Sequence, residues 1–222
     1  MPRRLLAEFI GTAILLAAII GSGIAAQRLS PHDTGLELLE NAFATSAALV
    51  AIILAFGPVS GAHFNPVITL ADRLLGGMTT AIAAGYVLVQ LAGAALGALV
   101  ANLMFSLPAA EISTKVRYGA GLWLAESVAT FGLVLVVFAL VRSGRSALAA
   151  PAVGVYIAAA YWFTASTSFA NPAVTIARTL SDTFAGIAPR SVLPFILAQL
   201  VGGGIAVATA RFLYPRPQSQ TQ

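Results

Sequence analysis

The chain has 222 residues, 59% of them hydrophobic and only 9% charged, and its mean hydropathy is +0.90. Soluble domains carry about 25% charged residues, so this chain cannot cover a water-facing surface, and its composition points to a lipid bilayer as solvent. The formal charge of +4 is scattered, with no basic run suited to nucleic acid, and the absence of cysteine excludes disulfides and thiol chemistry.

The first element is predicted at the N-terminus, MPRRLLAEFIGTAILLAAIIG. Its apolar run is longer than that of a secretory signal and lacks a small-residue cleavage site, so it reads as a first span over 5–26. A span needs roughly 20 residues. Five more follow, over 38–57, 80–103, 122–141, 147–164 and 192–212. The basic pairs Arg3/Arg4, Arg142/Arg145 and Arg211/Arg216 then fall on one side, which the charge bias makes the cytoplasm. Lys115 and Arg117 are exceptions to that bias. The tail 214–222 reads as short and disordered, and His32 as solvated.

Two segments are left over, each too short to cross. Gly61 to Leu74 reads GAHFNPVITLADRL, and Ser166 to Leu180 reads STSFANPAVTIARTL. Pro is well tolerated in the first turn of a helix, where its missing N–H costs nothing, and Asn just before it suits the N-cap. Asn65-Pro66 and Asn171-Pro172 therefore open short helices, over 66–75 and 172–179. Non-helical backbone inside the hydrocarbon zone survives only against protein or a wet cavity. The stretches 59–64 and 167–170 are thus expected to be re-entrant loops whose carbonyls face a pore.

The chain also repeats. Ala7-Glu8-Phe9-Ile10-Gly11-Thr12 matches Ala125-Glu126-Ser127-Val128-Ala129-Thr130. The two Asn-Pro segments match each other, and Gln90 with its neighbours matches Gln199 with its own. Repeat one is about 1–108 and repeat two about 119–213, within a single membrane domain. Three spans per half is an odd number, so the halves have opposite orientations about an axis in the membrane plane. The two short helices then meet end to end at the midplane, their partly positive ends facing each other. Two Asn amides offer donors there and loop carbonyls offer acceptors. A small neutral solute can exchange hydrogen bonds along such a path, and the half-helix fields disfavour cations. Gly85, Gly93, Gly97, Gly202, Gly203 and Gly204 are expected to be close helix contacts.

On these residues the sequence resembles the aquaporin family, the major intrinsic proteins, and more narrowly a bacterial aquaporin-like channel with an atypical filter. The resemblance rests on Ser60-Gly61-Ala62-His63-Phe64-Asn65-Pro66-Val67 and Phe169-Ala170-Asn171-Pro172-Ala173, with Glu8, Glu126, Gln90 and Gln199, and covers nearly the whole chain. It implies an all-α membrane protein, a bundle of six transmembrane helices plus two re-entrant half-helices. It also implies a homotetramer with one pore per subunit, a place in the bacterial inner membrane, and passive flux of water and small neutral solutes. Glu8 and Glu126 would brace the loops, and His63 would line the pore. No cofactor, metal or catalytic set is implied.

The family's usual arginine after the second Asn-Pro-Ala is replaced by Val174, and the first motif carries Val67 in place of Ala. The other filter positions carried over from the family are Thr45 and Ser168. The fifth-span position is Ala159 if counted without a gap, or Tyr161 if Gly154 is aligned with the family's glycine. Arg178, four residues after Val174, either reaches the pore mouth or pairs with a loop carbonyl or Asp182. Such a wide ring would admit glycerol-sized solutes or metalloid acids such as arsenous acid. A carrier built on the same inverted repeat, or a closed-pore structural protein, are the competing readings.

Overall fold

The computed structural model describes residues 1–215, so Arg216 and the rest of the predicted tail lie outside the described residues. Eight α-helices follow one another: α1 (Pro2–Leu29), α2 (Thr34–Ser60), α3 (Pro66–Leu75), α4 (Thr80–Met104), α5 (Ala120–Arg142), α6 (Ala149–Phe163), α7 (Pro172–Ala177) and α8 (Val192–Leu213). Six are long and apolar enough to cross a membrane, with single turns of 3-10 helix extending α6 and α8 at their starts. The remaining two, α3 and α7, are the half-helices opened by the Asn-Pro pairs.

Except for α6, which falls inside its predicted span, the crossing helices outrun their predicted spans, because capping, which hydropathy does not register, helps set their ends. Pro2 begins α1 in the first turn, where its missing donor costs nothing. Asp33 caps α2 by accepting from Leu36 N at 2.9 Å. At its other end α2 runs through Pro58 and stops at Gly61, whose φ of +89° is the left-handed conformation glycine adopts without strain. The first re-entrant loop is therefore 61–64, two residues shorter at its start than predicted. Likewise α7 ends at Ala177 and tightens into a 3-10 turn, Arg178–Leu180.

Close packing is built on small residues, as expected where lipid supplies no hydrophobic drive between helices. A Cβ on Gly93 or Gly97 of α4 would overlap the Phe9 or Ala13 carbonyl of α1. In the second half, a Cβ on Gly202 of α8 would overlap the Ser127 carbonyl of α5. Gly203 packs on Val67, and Gly85 makes a looser contact with the Leu5 side chain. Gly204 departs from expectation: nothing lies within 4 Å of its would-be Cβ, because it points away from the bundle. Gly93→Ala should destabilise the fold by roughly 1–3 kcal/mol, even though Ala gains about 1 kcal/mol in helix propensity. Gly204→Ala should be neutral or slightly stabilising. Thermal unfolding in detergent checks the pair; equal behaviour would remove the packing argument.

Large apolar side chains such as Phe43, Leu88, Val155 and Phe212 face outward, while Leu16, Ile20, Val134 and Phe195 are buried. The buried set also holds an unusual share of polar groups: Glu8, Gln90, Glu126, Gln199 and Arg178 are each at most 2% exposed. These groups gather around the two re-entrant loops.

Candidate functional site

Each short helix begins as its sequence dictates. Asn65 Oδ1 accepts from Val67 N at 2.9 Å, and Asn171 Oδ1 accepts from Ala173 N at 3.0 Å and Val174 N at 3.3 Å. Pro66 and Pro172 occupy the first turns. The amide nitrogens then cross between the halves: Asn65 Nδ2 donates to Ala170 O and Asn171 Nδ2 to Phe64 O, both at 2.8 Å. This exchange locks the helix starts together. It also spends one amide hydrogen of each Asn, leaving one donor apiece for the cavity that both residues line.

The loops before these helices are strained. Ala62 and Phe64 in the first, and Thr167, Ser168 and Ala170 in the second, have φ between +47° and +62°. Left-handed backbone costs a non-glycine residue about 1–2 kcal/mol. Two buried carboxylates offset that cost. Glu8 accepts from His63 N (3.0 Å), Phe64 N (2.7 Å), Ser60 Oγ (2.6 Å) and Gln90 Nε2 (2.9 Å). Glu126 accepts from Phe169 N and Ala170 N (2.9 Å each) and Gln199 Nε2 (2.6 Å). Each Gln amide also reaches a half-helix threonine, Thr69 or Thr175, at 2.9 Å. Without Gly11 the Phe64 ring could not lie against α1, since a Cβ there would overlap it.

A single cavity of about 860 Å³ follows the loops from end to end. Toward one end it is lined by Arg4, His63 and Asp72. His63 Nδ1 lies 3.1 Å from Thr69 Oγ1, and its ring packs edge-on against Tyr86. Tyr86 donates to Ser60 O and accepts from Arg4 Nε, both at 2.8 Å. The sequence motifs include Ser60 and the repeat includes Tyr86, but the sequence alone assigns neither a role. The available signal was a phenol where the repeat has Phe195.

Toward the other end lie Thr45, Tyr161, Ser168, Val174 and Arg178. Tyr161 Oη donates to Thr45 Oγ1 at 3.2 Å. Ala159, the ungapped choice, is exposed on the outside of α6 and does not line the cavity. Two residues along a helix turn the side chain by about 200°, so only one of the two candidates can face inward. Gly154 sets which one: it lets α6 close onto Ser46 and Val50 of α2 and thereby fixes the rotation of α6. His32 is exposed in the turn after α1.

Arg178 is buried in the cavity wall. Its Nε donates to Ala185 O, and its guanidinium lies 3.5 Å from the Phe169 ring centroid. Asp182 is not its partner; that carboxylate accepts from Thr114 N (2.9 Å) and the Thr114 and Ser113 hydroxyls. The four-residue spacing fails because the α-helix ends at Ala177, before Arg178. Two further cations, Lys115 and Arg117, come from the irregular stretch before α5. Lys115 Nζ donates to Phe184 O (2.8 Å), Arg117 Nε to Gly186 O (2.9 Å) and Arg117 Nη2 to Phe184 O (3.3 Å). Three consecutive carbonyls, of Phe184, Ala185 and Gly186, thus hold three cations at this end.

Comparison with known proteins bears on the family and the fold. Residues 1–168 match the family model for the major intrinsic protein. The chain is 49% identical to the aquaglyceroporin AqpS of Rhizobium meliloti, over 96% of this chain and 91% of that protein. It is 29% identical to the glycerol uptake facilitator protein of Streptococcus pneumoniae, over 63% of this chain and 65% of that one. In structure it superposes on the aquaglyceroporin from Plasmodium falciparum with a TM-score of 0.73, covering 96% of each chain at 18% identity.

Proposed function

Since the chain belongs to the major intrinsic protein family, we propose that its cavity is a passive pore for water and small uncharged solutes, widened enough to admit glycerol-sized molecules and metalloid acids such as arsenous acid. The observation that carries this reading is the composition of the cavity end lined by Thr45, Tyr161, Ser168 and Val174. Val174 stands where the family places an arginine, and Thr45 stands where water channels of the family place a phenylalanine. The ring is completed by Ser168 and Tyr161. A hydroxylated solute finds donors at Asn65, Asn171, Ser168 and Arg178 and an apolar wall at Val174, so its lost hydration is offset along the path.

The assembly we propose is a homotetramer in the bacterial inner membrane, with the N-terminus and the end of α8 cytoplasmic. Repeats of about 1–108 and 119–213 supply the two halves of each pore. The test is stopped-flow light scattering on purified protein in liposomes, comparing shrinkage in an impermeant osmolyte with re-swelling in glycerol, urea and arsenous acid. Rapid re-swelling, linear in concentration and independent of ion gradients, is expected. Fast water flux without solute entry would refute the widened filter. Saturable uptake coupled to an ion gradient would make the protein a carrier.

A further inference from the structure

At the Arg178 end a buried cation lies beside the lumen without a carboxylate partner. Among the described residues, its side chain makes only the bond to Ala185 O and the stack on Phe169. Its Nε and one face of its guanidinium plane are therefore used, while both terminal NH2 groups have no protein acceptor, and the residue is 2% exposed. An unpaired buried charge is expensive. A second group points to the same need: Ser168 Oγ is buried on the same cavity and has no hydrogen-bond partner.

Two further cations lie close by. Arg117 lies over the same Phe169 ring, 5.1 Å from its centroid, and Lys115 is pinned next to it on Phe184 O. Of the nearby carboxylates, Glu126 is engaged by the loop N–H groups and Asp182 by Thr114, while Glu37 acts on Lys115. A neutral oxygen would satisfy the free donors but leave the charge uncompensated. An anion would answer both. The terminal nitrogens of a guanidinium form a fork that matches two oxygens of one group, and Ser168 Oγ, buried in the wall beside it, reaches one of them by a change of rotamer. Val174 offers contact to a small apolar stem.

We infer that the Arg178 end of the lumen is a binding site for a small monovalent oxyanion, a carboxylate or sulfonate, which sits in the pathway and blocks neutral solutes. Onward passage is opposed by Asp72, which lines the other end of the cavity and holds the place corresponding to Arg178 after the other Asn-Pro pair. Only the blocking half of this inference rests on the conduction reading; binding stands apart from it.

Two measurements test it with methanesulfonate, which stays ionised and does not cross lipid as a neutral acid. In vesicles, glycerol flux should fall saturably with methanesulfonate, relative to chloride at equal ionic strength, from one membrane face only. Right-side-out and inside-out vesicles distinguish the faces. In detergent, methanesulfonate should raise the unfolding temperature saturably, as a ligand of the folded state does. Arg178→Gln should raise the half-effective concentration at least about tenfold, near 1.4 kcal/mol. Arg178→Lys, which keeps charge but loses the fork, should fall between. Equal effects of methanesulfonate and chloride, equal block from both faces, or an unaltered response in Arg178→Gln would overturn the site. If glycerol flux is absent while the thermal shift saturates and depends on Arg178, the conduction reading fails and the site stands.

Discussion

Glu126→Ala is expected to remove conduction and most of the stability of the second re-entrant loop. Three donors, Phe169 N, Ala170 N and Gln199 Nε2, converge on this carboxylate. Leaving a buried donor unpaired costs roughly 1–3 kcal/mol, so the summed loss is several kcal/mol. The same loop holds Thr167, Ser168 and Ala170 in left-handed backbone, at about 1–2 kcal/mol each. The two sums are comparable, so without Glu126 the strain is no longer offset and the loop should relax to ordinary dihedrals. Ala170 O would then leave Asn65 Nδ2, and the exchange joining the helix starts would break. Both water and glycerol flux should fall toward the level of empty liposomes, with a marked drop in unfolding temperature. Glu126→Gln keeps the volume and one acceptor oxygen, which separates the hydrogen-bond loss from the cavity. If Glu126→Ala unfolds and conducts like the parent, the loop is held by something other than this carboxylate.

Much of this arrangement was legible in the sequence because its parts are local or repeated. Asn65-Pro66 and Asn171-Pro172 announce helix starts through chemistry confined to four residues. Glu8 and Glu126 stand out because a carboxylate inside an apolar span occurs twice at matching places. The end lined by Thr45, Tyr161 and Arg178 was harder to read because it depends on rotation and on contacts far apart in the chain. Choosing between Ala159 and Tyr161 requires knowing how far α6 is turned, and that follows from Gly154 closing on α2. Arg178 could not be placed from helical spacing, since the helix ends one residue before it. Lys115 and Arg117 looked like exceptions to a charge bias. Their partners are backbone carbonyls about seventy residues away, which no side-chain pattern reveals.

Val174→Arg puts to the test whether this end sets selectivity. Val174 is buried in the cavity wall one turn, about 5.4 Å, before Arg178. A second guanidinium there fills lumen that a valine leaves open, so glycerol and urea flux should drop well below the parent while water continues to pass. It also sets two cations side by side. At about 5–6 Å and an effective dielectric near 20 they repel by roughly 3 kcal/mol, enough to displace one side chain or lower the unfolding temperature. The double variant Val174→Arg/Arg178→Gln removes that repulsion while keeping the added bulk. It should recover stability and water flux yet still exclude glycerol. Selectivity would then follow the bulk at position 174, and stability the charge pair. If both variants depress every flux by the same factor, the substitution has damaged the fold rather than the filter, and Val174 does not set what passes.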